Sequence, residues 1–197
     1  MGEDDPESSA AETTWRHEVY ATGADSTQLR STLRLAALRQ WECLSLDVKS
    51  AFLLAPKAQG ETVIAKPPKI LEEAQLAQPG EHWLVTSAMY GLVTSPKDWS
   101  TFRDSELQNM VGSVAHERDE GEGHKMQSFS FRPMEDPNLW AIQEISEPHD
   151  KDTKVWGRVL GHMIVYVDHV LMVGPKKVTE AASSTIKAVG RLLSMLP

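Results

Sequence analysis

Cysteine is almost missing. The one cysteine, Cys43, excludes an internal disulfide and any multi-cysteine zinc site. No apolar run approaches the length that spans a bilayer, so no membrane helix is predicted and no membrane partner is expected. The start, Met1-Gly2-Glu3-Asp4-Asp5, is acidic and has no apolar stretch, which argues against a secretory signal and predicts an intracellular protein. Internal repeats and a Gly-rich phosphate loop are also lacking. So is a basic surplus: 20 Lys and Arg stand against 28 Asp and Glu, a net charge of −8. A dedicated duplex binder normally shows the opposite balance.

What is present suits one globular domain. The chain has 197 residues and 21.9 kDa, enough to bury a core without staples. Hydrophobic residues make up 41% and charged residues 24%, a balance that excludes wholesale disorder. The charge is uneven. Residues 1–25 hold Glu3, Asp4, Asp5, Glu7, Glu12, Glu18 and Asp25 against Arg16, so −6 of the −8 falls there. Residues 1–25 are therefore expected to be a flexible acidic leader, with the domain proper at 26–197.

The chain then reads as mixed elements. Asp25 with Gln28 predicts a capping box and a helix over 26–40, with Leu29, Leu33, Ala36 and Ala37 on one face. Strands are predicted at 43–48, 62–66 and 82–88, the second halted by Pro67-Pro68. Ser95 as N-cap and Pro96 at the first helical position predict a helix to about Met110, with Trp99, Phe102 and Met110 inward. Residues 112–124 read as a loop or weak hairpin. Strands are predicted at 125–132 and 138–145, and a hairpin within 155–173. A last helix over 177–195 places Ile186, Val189, Leu193 and Leu196 at helical spacing. Strands and helices mix without βα alternation, so the expected class is α+β.

Three segments carry chemistry. In Met163-Ile-Val-Tyr-Val-Asp168-His169-Val-Leu-Met-Val173, two apolar strands flank a polar turn at Asp168-His169. In Leu46-Asp47-Val48-Lys49-Ser50-Ala51-Phe52, a carboxylate ends an apolar strand. In Met89-Tyr90-Gly91-Leu-Val-Thr-Ser95-Pro96-Lys97-Asp98-Trp99, a glycine precedes a helix start. Each alone reads as structure: a hairpin with a polar tip, a solvated acid, a capped helix. Phe52, Trp83, Trp99, Trp140 and Trp156 alone read as core, Cys43 as a small buried hydrophobe, and His162 as a hydrogen-bonded core or edge histidine.

In this order the segments resemble the reverse transcriptase domain of copia-type retrotransposon polyproteins. That family shows Leu-Asp-Val-x-x-Ala-Phe-Leu, a Pro-Pro segment, Leu-Tyr-Gly-Leu-x-x-x-Pro-x-x-Trp, Asp-x-x-Leu-Trp/Phe and Val-Tyr-Val-Asp-Asp. Here stand Leu46 to Leu53, Pro67-Pro68, Met89 to Trp99, Asp136 to Trp140 and Val165 to His169, so the resemblance covers about residues 28–195. It implies a polymerase palm-like antiparallel sheet backed by helices, with fingers and thumb largely missing. It implies RNA-directed DNA polymerase ancestry, with primer–template nucleic acid and a deoxynucleoside triphosphate as partners and two Mg²⁺ ions as cofactor. Asp47 and Asp168 are the implied metal ligands. Phe52 is the implied steric gate beneath the incoming sugar, Tyr90 and Gly91 line the nucleotide pocket, and Tyr166 supports the primer end.

The match departs at His169, where the family has a second aspartate, so the third catalytic position is degenerate. The expectation is an impaired polymerase. Lys49, Lys66, Lys69, Lys97 and Arg103 are the available local basic patch. Two other readings stay open: a catalytically dead remnant that acts as a nucleic-acid or protein interaction module, and an unrelated α+β metal hydrolase using Asp47, Asp168 and His169. Oligomeric state is not fixed by the sequence.

Overall fold

A computed structural model describes residues 24–58, 62–116, 125–146 and 154–193. The expected leader therefore lies outside the described residues, save its last two. The described residues are α+β and contain a six-stranded antiparallel sheet, a two-stranded sheet and five helices. The chain divides into two compact units, a larger one of residues 21–49 and 103–197 and a smaller one that includes residues 50–102.

In the larger unit, Asp25 opens helix α1 (Ser26–Arg39), its carboxylate accepting the Thr27 N–H at 2.8 Å. The bond goes to Thr27 rather than Gln28, so the cap forms without the expected box. Gln40, in the left-handed region at φ 53°, closes the helix onto the Ala36 and Ala37 carbonyls. The buried side of α1 is Thr32 and Ala36; Leu29 and Leu33 stay over a third exposed, which corrects the expected face.

Six strands follow: β1 (Glu42–Asp47), β4 (Val111–His116), β5 (Lys125–Pro133), β6 (Leu139–Ser146), β7 (Val155–Tyr166) and β8 (His169–Gly174). Their order is β1-β8-β7-β6-β5-β4, every neighbour antiparallel. Side chains alternate between faces with period two. The register therefore aligns one apolar row, Leu44–Met172–Met163–Trp140, and a second, Leu46–Val170–Val165. These rows, with Phe129, Phe131 and Ile142, make the core. Helix α5 (Lys176–Leu193) packs on β4, β1, β8 and β7 and adds Val178 and Ala182. Gly161 is needed where β7 meets β8: a Cβ there would lie 2.7 Å from the Val173 carbonyl oxygen.

The sheet corrects several expectations. Where a loop or weak hairpin is expected at 112–124, Val111–His116 is a strand paired with β5 over six residues, because Val114 joins the core with Phe129 and pairing outweighs the weak propensity of Gly112 and Ser113. Residues 117–124 lie outside the described residues. Cys43 is exposed: it alternates with core-facing Leu44 on an edge strand. Lys154, the residue before β7, anchors the start of that strand, its ammonium donating to the Gln108 carbonyl and to Ser130 Oγ at 2.7 Å. Burial lowers its pKa.

The smaller unit is built from short elements. They are α2 (Ala51–Leu54), β2 (Ile64–Ala65), α3 (Lys69–Glu73), β3 (Trp83–Leu84) and the first half of α4 (Ser95–Asn109). Strands β2 and β3 pair antiparallel over two residues each. Trp99 is buried as expected, but Trp83 is 39% exposed, its indole N–H donating to Glu81 at 2.7 Å. No described helix is long and apolar enough to cross a membrane.

Candidate metal site

The larger unit assembles its site from pairing register. Strand β1 ends at Asp47, opposite His169, the first residue of β8. Strands β7 and β8 form a hairpin in which Tyr166 faces His169, so the turn is Val167–Asp168. The expected turn at Asp168–His169 is thus displaced by one residue. The reason is burial: Val165 and Val170 are 0% and 5% exposed and pair directly, which leaves two residues for the loop after Tyr166 and His169 pair. The Val48 N–H donates to the Asp168 carbonyl at 2.9 Å and ties the turn to the end of β1.

Val167 pays for this tightness in backbone strain. Its φ is +55°, a region that β-branched residues rarely adopt. Such a conformation costs about 1–3 kcal/mol and persists where the surroundings over-determine it. Here strand pairing on one side and the Val48 bond on the other hold it.

Asp47, Asp168 and His169 converge at this turn. His169 Nδ1 lies 2.8 Å from Asp168 Oδ1, and its Nε2 lies 3.4 Å from Asp47 Oδ1. One donor atom from each residue can be chosen so that all lie within 4.8 Å of one another. Asp168 is partly shielded, while Asp47 and His169 are open to solvent at 57% and 64% exposure. This donor set suits one divalent cation. It does not suit two Mg²⁺ ions, which prefer hard oxygen ligands and near-octahedral geometry. Two carboxylates offset one dication and leave a pair of dications half-compensated.

The residues implied for nucleotide contact fall in the smaller unit, apart from Tyr166. Phe52 is half-buried in α2, its ring edge-on to Tyr90 at 4.8 Å between centroids. Tyr90 is 62% exposed. Gly91 has φ +94° and open space where a Cβ would sit, so it is required for its backbone angle rather than for close approach. Ser95 fixes this loop. Its hydroxyl donates to the Met89 carbonyl at 2.7 Å and accepts the Met89 N–H at 2.9 Å. Ser95 is therefore a brace for the Tyr90–Gly91 turn and not the expected N-cap; the Asp98 N–H bonds to the Thr94 carbonyl instead. Tyr166, at the end of β7, is 58% exposed.

Sequence reading missed the Ser95 brace and the Val167 strain. Two other expectations change. Arg103 leaves the basic patch: it is buried and donates to Asp104 through Nε at 2.8 Å and Nη2 at 2.7 Å. Burial raises the Asp104 pKa, partly countered by Arg103. His162 is half-buried, but its Nδ1 is enclosed without a hydrogen-bond partner, and desolvation lowers its pKa.

Comparison with known proteins gives a distant relative. The chain is 25% identical over 157 residues to the retrovirus-related Pol polyprotein from transposon RE2 of Arabidopsis thaliana. The match covers 80% of this chain and 8% of that polyprotein. No protein-family model matches, and no solved structure matches. The similarity supports a retroelement-derived chain.

Proposed function

We propose that the chain is the palm-centred part of a copia-type reverse transcriptase, an RNA-directed DNA polymerase by ancestry with reduced activity. The observation that carries the reading is the meeting of Asp47 and Asp168 at the tip of a strained β7–β8 hairpin beside the end of β1. These residues lie far apart in sequence, and antiparallel pairing of β1 with β8 brings them together. The distant transposon relative supports the same reading. Primer–template nucleic acid and a deoxynucleoside triphosphate are the proposed partners. Mg²⁺ is the family's cofactor, but the imidazole in the third position fits a pair of such ions poorly.

One observation favours a second reading, a catalytically dead remnant with an interaction role at most. His169 stands between the two carboxylates, within reach of both. Displacement of a reacting group by about 1 Å can cost on the order of a hundredfold in rate. Primer extension on poly(rA)–oligo(dT) separates the readings. Slow extension that His169→Asp raises and Asp47→Ala abolishes supports the polymerase reading. Silence from the native chain and from His169→Asp, with salt-dependent primer–template binding, supports the remnant.

A further inference from the structure

We infer that Asp47 and His169, with Asp168 orienting the imidazole ring, form a site for one borderline divalent ion of the Zn²⁺ class, in place of a Mg²⁺ pair. The inference deepens the palm reading and rests on it for the expectation of paired Mg²⁺ from which the site departs. Its basis is the donor set and its geometry.

The separation between His169 Nε2 and Asp47 Oδ1 is 3.4 Å. Ligands about 2.0–2.1 Å from a tetrahedral zinc lie about 3.3 Å apart, so these two atoms already span one edge of such a site. The other ring nitrogen is also engaged: Nδ1 lies 2.8 Å from Asp168 Oδ1. A proton on Nδ1 donated to that carboxylate leaves the Nε2 lone pair toward Asp47. This is the carboxylate–histidine–metal arrangement, which fixes the ring and raises its basicity as a ligand.

Chemistry agrees with geometry. Imidazole suits zinc and its neighbours, whereas Mg²⁺ selects carboxylate, carbonyl and water oxygen. Asp47 and His169 sit opposite each other on paired strands, so backbone pairing sets the Cα separation of these two ligands. The exposure of both leaves solvent access to the ion. Nearby, Tyr166 pairs with His169 across the hairpin.

The test uses the full chain and the metals alone. Zn²⁺, Mn²⁺ and Mg²⁺ are titrated calorimetrically, and Co²⁺ replaces Zn²⁺ to report geometry by its visible absorption. One Zn²⁺ per chain is expected at this site, bound more tightly than Mg²⁺ because imidazole suits zinc and not magnesium. His169→Asp is expected to lower Zn²⁺ affinity by about tenfold or more, and to raise that for Mg²⁺. Asp47→Ala is expected to remove the tight site, while Cys43→Ser and His82→Ala leave it intact. Thermal melts of each variant without metal confirm that a loss is not unfolding, and His169→Ala provides a second substitution.

Equal affinity for Mg²⁺ and Zn²⁺, two ions per native chain, or Zn²⁺ uptake unmoved by both His169 variants would overturn the inference. The palm reading fails separately. If the native chain takes one Zn²⁺ but His169→Asp binds Mg²⁺ without extending primers, the inference holds and the polymerase reading loses its support. If the native chain extends primers with Mg²⁺ bound as tightly as Zn²⁺, the reverse is true.

Discussion

The sheet of the larger unit buries Phe129, Phe131, Ile142 and Met163 completely, while the smaller unit leaves Ile70, Leu76, Leu84 and Val93 between 63% and 74% exposed. One unit is held by register over six strands; the other is held by two-residue strands and single side-chain braces. This difference decides how each positions its candidate site residues. In the sheet, Asp47 and His169 are set opposite each other by a ladder running from Glu42↔Gly174 to the site itself. In the smaller unit, the loop bearing Tyr90 and Gly91 depends on the hydroxyl of Ser95.

The sharpest way to break the comparison is to truncate one apolar side chain in each unit. Phe131→Ala should cost about 3–5 kcal/mol, because a buried ring is lost and a cavity remains. Leu84→Ala, at 63% exposure, should stay within about 0.5 kcal/mol. Urea midpoints measure both. Equal losses would mean that Leu84 is covered in solution and that the contrast between the units is false.

Ser95→Ala comes next in size. It removes the partner of both Met89 backbone groups at a site where Ser95 is 1% exposed. Leaving such groups unsatisfied costs about 1–3 kcal/mol. Hydrogen exchange should quicken at residues 89–95 while amides of β7 and β8 keep their protection. A uniform increase across the sheet would show that the brace is not local.

Val167→Gly should act in the opposite direction. Glycine adopts positive φ without the steric penalty borne by valine. The gain is about 1 kcal/mol once the greater entropy of unfolded glycine is set against relief of about 1–3 kcal/mol of strain. A destabilised variant would mean that the Val167 side chain contributes more than its backbone costs.

The same contrast explains what the sequence disclosed. Strands β5 to β8 were legible because Phe129 and Phe131, Trp140 and Ile142, and Val170 and Met172 alternate at period two, and long-range pairing reinforces that pattern. The meeting of Asp47 with Asp168 came from the resemblance; either segment alone reads as an ordinary strand end. Three features were not legible because they depend on contacts distant in the chain or absent from any local pattern. The Gly112–Ser113 segment becomes a strand through β5. Ser95 has the sequence of an N-cap, yet its hydroxyl goes back to Met89. Arg103 looks like free positive charge because the sequence shows its neighbour Asp104 but not that Arg103 is buried.

His162 offers the smallest and most diagnostic effect. It lies in the middle of β7, paired with Val173, and its ring centroid is 6.3 Å from that of Trp41. Burial disfavours the imidazolium, so the folded pKa lies below the ordinary 6.5. Between that lower value and 6.5 the unfolded chain binds more protons than the folded one. Stability attributable to this group is therefore complete above 6.5 and falls as the pH drops through that interval. Urea unfolding of the native chain across this range should show the decline, and His162→Gln should flatten it while changing little at pH 8. An unchanged slope in the variant would assign the pH dependence to another group. The expected flattening would assign the decline to burial of the His162 ring within the sheet.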